Sequence, residues 1–301
     1  MDSMIINLTD TSTREIHSQL VRARRTIGPA TGLVLTLIVV SQDASLSHAR
    51  KVAREAASTH PSRVILLCPM AADGPDQLNA DIHIGEGIAG DLITLRLAGS
   101  FVAHAQSVVL PLLLPDSPTA VWWPGNAPHH PSADPIGSLA DRRITNVTHD
   151  PAALRYLAAN YAPGDTDLSW TGLTRLRTLL ASALDQVAAP IISGRVTAGA
   201  ANSSAVLLTS WLSHQLQVPI TRAVGPIAGL SSVHLDSAAG QIAVVKSPDG
   251  NAVTFDVPGH PQRSWALKQR TFSELMTEEL AHLDPDEIYA KTLQHLIDGG
   301  Q

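Results

Sequence analysis

The segment from Ser107 to Pro128, SVVLPLLLPDSPTAVWWPGNAP, constrains the fold more than any other part of the chain. A proline removes a helical hydrogen bond, so Pro111 predicts that the helix before it ends in a distorted turn. Thr119 to Trp123 follows as an apolar run of strand length. Neighbouring side chains of a strand point to opposite faces. We therefore expect one indole of Trp122 and Trp123 to pack in the core and the other to line a cleft or contact a partner. Packing of both indoles in the core is the alternative.

The residues directly after this strand are Pro124, Gly125 and Asn126. Ligand and partner sites of open α/β sheets gather outside the carboxyl ends of the strands, and tryptophan is frequent at interface hot spots. The sequence thus predicts a partner contact at Trp122, Trp123 and Asn126, with core packing alone as the competing interpretation.

Composition sets the class of protein. The chain has 301 residues, of which 44% are hydrophobic and 16% are charged, so it is globular and long enough for two domains. A formal net charge of -6 argues against nucleic acid as the main ligand. The sequence lacks an apolar run of about 20 residues and a basic segment followed by an apolar one at its start. We expect a cytoplasmic protein without a membrane segment.

The single cysteine, Cys68, excludes an internal disulfide. It ends the apolar run Val64 to Leu67, so we expect a buried, unreactive thiol, with a reactive role as the alternative.

Two apolar runs rich in β-branched residues, Leu33 to Val40 and Ser62 to Cys68, flank an amphipathic helical pattern from Ser45 to Ser58. Strand, helix and strand predict a right-handed crossover in a parallel sheet. Asp81 to Ile84 and Leu92 to Leu97 predict an antiparallel pair. The loop after the first strand has no glycine, and GEGIAG does not open a helix, so no cofactor site is predicted.

The C-terminal part repeats the order of strand, helix and strand and continues with a meander. The predicted elements are strand Ile191 to Val196, helix Ser203 to Leu216, strands Val218 to Arg222, Ser231 to Leu235, Gln241 to Lys246, Ala252 to Val257 and Arg263 to Leu267, and helices Thr271 to Leu283 and Asp286 to Ile297. The sequence therefore predicts two α/β domains, residues 1–188 and 189–301. Each has a mixed sheet with flanking helices, and the second contains an antiparallel meander.

Adjacent cations, Arg142 and Arg143, begin a short predicted strand. They could bind a carboxylate or a phosphate, or lie at a wet sheet edge. His129 and His130 lack the spacing from other ligands that zinc requires, so no metal site is predicted.

Two carboxylates, Asp165 and Asp167, precede a predicted long helix from Ser169 to Gln186. Both are suited to capping its N-terminus. The same pair also resembles a general acid and base or a magnesium site, although no third ligand accompanies it.

Four phrases resemble the OpcA family, the glucose-6-phosphate dehydrogenase assembly proteins of actinobacteria and cyanobacteria. They are LPLLLPDSPTAVWWPGNAP, DPIGSLADRRI, YAPGDTDLSWTGLTRLRTLLASALDQ and LDPDEIYAKTL, and they occur in order over nearly the whole chain. The resemblance implies a non-catalytic auxiliary subunit that binds glucose-6-phosphate dehydrogenase, favours its active oligomer and raises NADPH supply through the pentose phosphate pathway. Cyanobacterial relatives are associated with thioredoxin-dependent control through cysteines. Because this chain has only Cys68, we expect no such control here.

Together, the residues and the resemblance predict one set of partner-binding residues. The set comprises Trp122, Trp123, Asn126, Arg142, Arg143, Asp165, Asp167 and Trp170. A competing hypothesis is a phosphosugar-active enzyme that uses Arg142 and Arg143 for phosphate and Asp165 or Asp167 for proton transfer. A third is a small-molecule sensor that passes a signal to the dehydrogenase.

Overall fold

The computed structural model describes residues 4–28, 32–85, 90–247 and 249–299. Within these ranges, strands of two mixed sheets alternate with α-helices, so the predicted class of two α/β domains is confirmed. The strands are β1 (Met4–Leu8), β2 (Leu35–Val40), β3 (Ser62–Pro69), β4 (Gln77–Ile84), β5 (Asp91–Ala98), β6 (Thr119–Trp122), β7 (Arg142–Thr145), β8 (Asp165–Asp167), β9 (Ile191–Ala198), β10 (Ile220–Val224), β11 (Leu230–Ser237), β12 (Gly240–Lys246), β13 (Ala252–Asp256) and β14 (Arg263–Ala266). The α-helices are α1 (Thr13–Ile27), α2 (Asp43–Thr59), α3 (Ser100–Ala103), α4 (Ala105–Val109), α5 (Pro151–Ala159), α6 (Leu168–Thr171), α7 (Thr174–Leu184), α8 (Ser203–Leu216), α9 (Phe272–Leu280) and α10 (Glu287–Asp298).

The chain forms two compact units, and neither is continuous in sequence. The first unit consists of Met1–Asn146, Gly164–Thr166 and Phe272–Pro285, and the second of Val147–Pro163, Asp167–Thr271 and Asp286–Gln301. The predicted boundary between residues 188 and 189 differs from this division. The reason is that apolar side chains of α5 and α7 belong to the core of the second unit, whereas α9 belongs to the first.

The first unit contains a sheet of eight strands in the order β1-β4-β5-β3-β2-β6-β7-β8. Strands β5, β3, β2, β6 and β7 run parallel, as apolar strands joined by helical crossovers should. The predicted strand, helix and strand unit of β2, α2 and β3 is confirmed, and so is the antiparallel pair of β4 and β5. Part of the GEGIAG phrase, residues 86–89, lies outside the described residues.

Helix α1 covers part of the same sheet. Its N-cap is Ser12, whose Oγ accepts a hydrogen bond from the Glu15 backbone nitrogen at 3.3 Å. The helix buries Ile16 and Leu20 in the core of the first unit and ends at Gly28, whose φ of +107° suits glycine. The basic end of α1 therefore lies beside the sheet.

The segment before Pro111 folds as the proline predicts. Instead of one helix, the structure has α3, α4 and a 3-10 turn, Leu110–Leu112, with the proline inside that turn. Strand β6 follows after a short connection and lies fully buried between β2 and β7.

The second unit contains a sheet of six strands in the order β10-β9-β11-β12-β13-β14. Strands β9 and β10 are parallel and are joined through α8, and the remaining strands form the predicted antiparallel meander. Asn202 caps α8 by accepting a hydrogen bond from the Ala205 nitrogen at 2.8 Å. No helix within the described ranges combines the length and the apolar character needed to cross a membrane.

Candidate functional site

Both tryptophans of the TAVWW run are interior side chains. Trp122 is 1% exposed and Trp123 is 3% exposed, so the expectation that one indole lines a cleft is wrong. Trp123 belongs to the core of the first unit together with Ile136. Trp122 lies outside that cluster, and its indole Nε1 has no hydrogen-bond partner among the described residues. The run TAVWW is therefore buried along its whole length, because parallel neighbours flank β6 on both sides.

The loop after β6 is exposed and anchored at its base. The Trp123 nitrogen donates to the Ile144 carbonyl at 3.0 Å, and the Asn146 side chain donates to the Pro124 carbonyl at 3.2 Å. Asn126 follows as an exposed residue. Of the eight predicted contact residues it is the exposed one, and the other seven are buried.

Arg142 binds a carboxylate of its own unit. Its Nη2 and Nε donate to Glu279 Oε2 of α9 at 2.8 and 3.3 Å, and its Nη1 donates to the Asp284 carbonyl at 2.9 Å. The Arg142 and Glu279 side chains are 4% and 6% exposed. Of the alternatives that the sequence left open, the structure selects the carboxylate, supplied by this chain.

Arg143 pairs with Asp165, and its Nη1 donates to the Ala140 carbonyl at 2.7 Å. Its backbone nitrogen donates to the Gly164 carbonyl at 2.8 Å. Gly164 has a φ of +95°, and a Cβ there would lie 2.2 Å from the Asp141 carbonyl oxygen. A side chain at this position would therefore clash with the backbone just before β7.

The predicted capping role holds for Asp167. Its Oδ1 accepts from the Ser169 nitrogen at 2.8 Å, and its Oδ2 accepts from the Val147 nitrogen at 2.9 Å. The predicted long helix is divided into α6 and α7. Asp167 is the N-cap of α6, and the Asp165 carboxylate pairs with Arg143.

Trp170 anchors the core of the second unit. Its Nε1 donates to Asp286 Oδ2 at 2.7 Å, and its ring lies 5.5 Å from that of Tyr289. The guanidinium of Arg177 lies 3.5 Å from the centre of the Trp170 ring, a cation–π geometry. Asp286 also caps α10 through the Ile288 nitrogen at 2.9 Å. The sequence marked Trp170 but carried no signal for Asp286 or Arg177, which come together only in the folded unit.

The described residues were compared with the requirements of a metal site and of a reactive thiol. Over the part of the chain that the structure describes, no group of three or more His, Cys, Asp or Glu side chains could hold a metal ion. Cys68 is fully buried, as predicted, and burial raises the pKa of its thiol.

Two family models match the chain in order. Both describe a glucose-6-phosphate dehydrogenase subunit: the model of its N-terminal domain matches residues 53–160, and the model of its C-terminal domain matches residues 163–293. The chain belongs to the OpcA family. The resemblance read from the WWPG and GDTDLSW phrases is thereby confirmed, and the association of the OpcA family with assembly of this dehydrogenase comes with it.

Other comparisons are weaker. Among curated proteins, none matches the chain. A 3-ketoreductase from Actinomadura kijaniata, solved with NADP and TDP-benzene, has a TM-score of 0.48 and 11% identity, covering 87% of this chain and 95% of its own. A NAD binding oxidoreductase from Klebsiella pneumoniae has a TM-score of 0.45 and 9% identity, covering 88% and 95%. No function follows for this chain from either similarity.

Proposed function

We propose that this protein is a non-catalytic auxiliary subunit of glucose-6-phosphate dehydrogenase. It binds the enzyme in the cytoplasm, favours the active oligomer and so raises NADPH production in the pentose phosphate pathway. The observation that carries the proposal is the ordered match to both domains of the dehydrogenase subunit family over residues 53–160 and 163–293.

The mechanism is a shift in population. A partner that binds the assembled, active state more tightly than the separated subunits raises the fraction of that state by the ratio of the two affinities. No chemistry by this chain is required, because stimulation comes from the enzyme molecules that become active.

We assign direct contact to the exposed loop around Asn126, and a supporting role to the buried members of the predicted set. Trp123 and the Asn146 hydrogen bond to Pro124 fix the base of this loop. Arg142, with its partner Glu279, fixes the neighbouring strand β7. Buried anchors that hold an exposed loop in one conformation reduce the entropy lost when a partner binds.

The competing enzyme hypothesis relies on Arg142 and Arg143 to hold a phosphate. In this structure their guanidinium groups are bound to Glu279 and Asp165, which favours a structural role for all four. The discriminating measurement is turnover of sugar phosphates by the purified protein without the dehydrogenase. Any such turnover would favour the enzyme hypothesis.

The proposal is tested by the rate of glucose-6-phosphate dehydrogenase from the same organism against added purified protein, followed as NADPH. We expect saturable stimulation together with co-elution of the two proteins. An absence of both would overturn the proposal.

The loop assignment needs its own variant. Alanine at both Trp122 and Trp123 would remove buried indoles at a cost of about 3 to 5 kcal/mol each, so loss of stimulation would not separate contact from folding. Asn126→Arg instead places a bulky charge on an exposed loop. We expect it to weaken stimulation about tenfold or more, since a misplaced interface charge costs more than about 1.4 kcal/mol. Asn7→Arg, on the exposed edge strand β1, is the matched control and should leave stimulation unchanged.

A further inference from the structure

A cavity of about 440 Å³ lies beside the C-terminal half of α1 in the first unit. Arg24, Arg25 and His17 from α1 and Arg63 from β3 provide its polar side chains. Among the described residues that line it, none is acidic. The cavity is therefore basic, although the chain as a whole carries a net charge of -6.

One buried carboxylate serves two of these arginines. Asp91, at the start of β5, is 0% exposed and binds Arg24, and it also binds Arg63 through Nη2 at 2.9 Å and Nε at 3.0 Å. Arg63 Nη1 donates to the Leu112 carbonyl at 2.9 Å. Two guanidinium groups thus share a single negative charge, which leaves one positive charge at the cavity wall.

A third guanidinium adds to this excess. Arg25 is exposed and has no hydrogen-bond or ion-pair partner among the described residues. The Nε of Arg24 is buried and also lacks a hydrogen-bond partner in the described part of the chain. The cavity therefore presents an excess of about two positive charges. A concave, one-sign surface of this kind concentrates counter-ions.

The shape and charge of the cavity suit a small molecule that carries a phosphate group. Guanidinium groups bind phosphate through paired, charge-assisted hydrogen bonds. A phosphate monoester carries a charge of about -1.5 to -2 near neutral pH, which matches the excess of the cavity, whereas a single carboxylate does not. Leu20 and Val21 supply apolar lining for the carbon part of a ligand, and the volume is within the range of small-molecule sites. We propose that this cavity binds the phosphate group of a small phosphorylated metabolite.

The proposal concerns the isolated protein and does not depend on dehydrogenase binding. It is tested by the thermal unfolding midpoint and by calorimetry with two probes, inorganic phosphate and ribose 5-phosphate. Ribose and succinate at equal ionic strength are the controls. We expect both phosphate probes to raise the midpoint saturably, as a ligand of the native state must, and the controls to have no such effect. Equal stabilisation by succinate, or none by either probe at about 10 mM, would overturn the proposal.

Variants locate the site. Arg25→Gln should weaken binding of ribose 5-phosphate about five- to tenfold, the loss expected for one charge-assisted contact. The side chain has no intramolecular partner in the described residues, so folding should be unaffected. Arg22→Gln removes an exposed arginine from the same helix outside the cavity lining, and should leave binding within about twofold. Equal losses in both variants would mean general attraction to a basic helix and would contradict the assigned site.

Discussion

Two groups of arginines in the first unit differ in burial and in the number of carboxylates that neutralise them. Arg142 and Arg143 are almost fully buried, and each has its own carboxylate, Glu279 and Asp165. In the cavity group, Arg24 and Arg63 are partly exposed and share Asp91, whereas Arg25 is exposed and has no ion-pair partner among the described residues. Burial is tolerated where charges are matched one to one, because an unpaired buried charge is costly. An excess of charge occurs where water can reach it, and there a ligand can take the place of water.

The largest expected effect comes from breaking a matched pair. Glu279→Ala leaves Arg142 buried at 4% exposure without its carboxylate, so the free energy of unfolding should fall by about 3 to 5 kcal/mol. Urea unfolding measures the change. Glu287→Ala is the control, because this glutamate is 86% exposed and its pair with Lys291 spans 4.0 Å, so the loss should stay below about 0.5 kcal/mol. Similar losses in the two variants would contradict the difference between matched and exposed charges.

A smaller loss is expected at the shared carboxylate. Asp91→Asn removes the partner of Arg24 and Arg63, whose side chains are 19% and 13% exposed and can be hydrated through the cavity. We expect a loss of about 2 kcal/mol. Inorganic phosphate should restore the unfolding midpoint of this variant more than it raises that of the unchanged protein, because the variant gains one positive charge at the cavity. Glu279→Ala should show no such recovery, and a phosphate effect of the same size in both variants would contradict the distinction.

Replacing arginine by lysine separates the two groups without changing charge. Arg143→Lys loses the second donor that binds the Ala140 carbonyl at 2.7 Å, so we expect a loss of about 1 to 2 kcal/mol. Arg25→Lys should change stability by less than about 0.5 kcal/mol and should keep most of the phosphate binding. Thermal unfolding of the two variants side by side is the measurement. A stability loss at residue 25 as large as that at residue 143 would show that Arg25 has a structural role.

The smallest effect concerns a lone cation of the second unit. Lys246 on β12 is half-buried and has no ion-pair partner among the described residues, and burial lowers its pKa below the ordinary 10.5. Between the lowered pKa and 10.5 the unfolded state binds more protons, so stability should rise with pH in that alkaline window. Because burial of a charged ammonium is unfavourable, Lys246→Met should stabilise the protein by about 0.5 kcal/mol or less at neutral pH. Unfolding midpoints from pH 7 to about pH 10.5 measure both effects, and an unchanged pH profile in the variant would contradict the assignment.

Much of the fold could be predicted from the sequence where pattern and contact are local. The apolar runs that form β2 and β3, the helix between them, and the turns of the meander all carry their signal within a few residues. The sequence patterns do not predict strands β1 and β8, because MIINL does not alternate apolar and polar residues and DTD is polar. Their strand geometry depends on pairing with distant strands.

The partners of the candidate site residues were also not predictable, because they are distant in sequence. The partner of Arg142 is Glu279, which is 137 positions away, and nothing near either residue in sequence signals the pair. Adjacent arginines in the sequence predict a site at residues 142 and 143, whereas the sequence analysis predicts none at Arg24 and Arg25. The difference lies in Asp91 and Arg63, which only the sheet brings beside α1.

The interrupted layout of the first unit has a consequence for synthesis on the ribosome. Domains usually fold in order from the N-terminus as the chain emerges. Here Phe272–Pro285, which carries Glu279, is made after nearly all of the second unit, including Asp167–Thr271. The carboxylate partner of Arg142, Glu279, is therefore synthesised only after α8 and the meander. A truncated chain that stops before residue 272 lacks α9 of the first unit and α10 of the second, so we expect chaperones and proteases to recognise both units as incomplete.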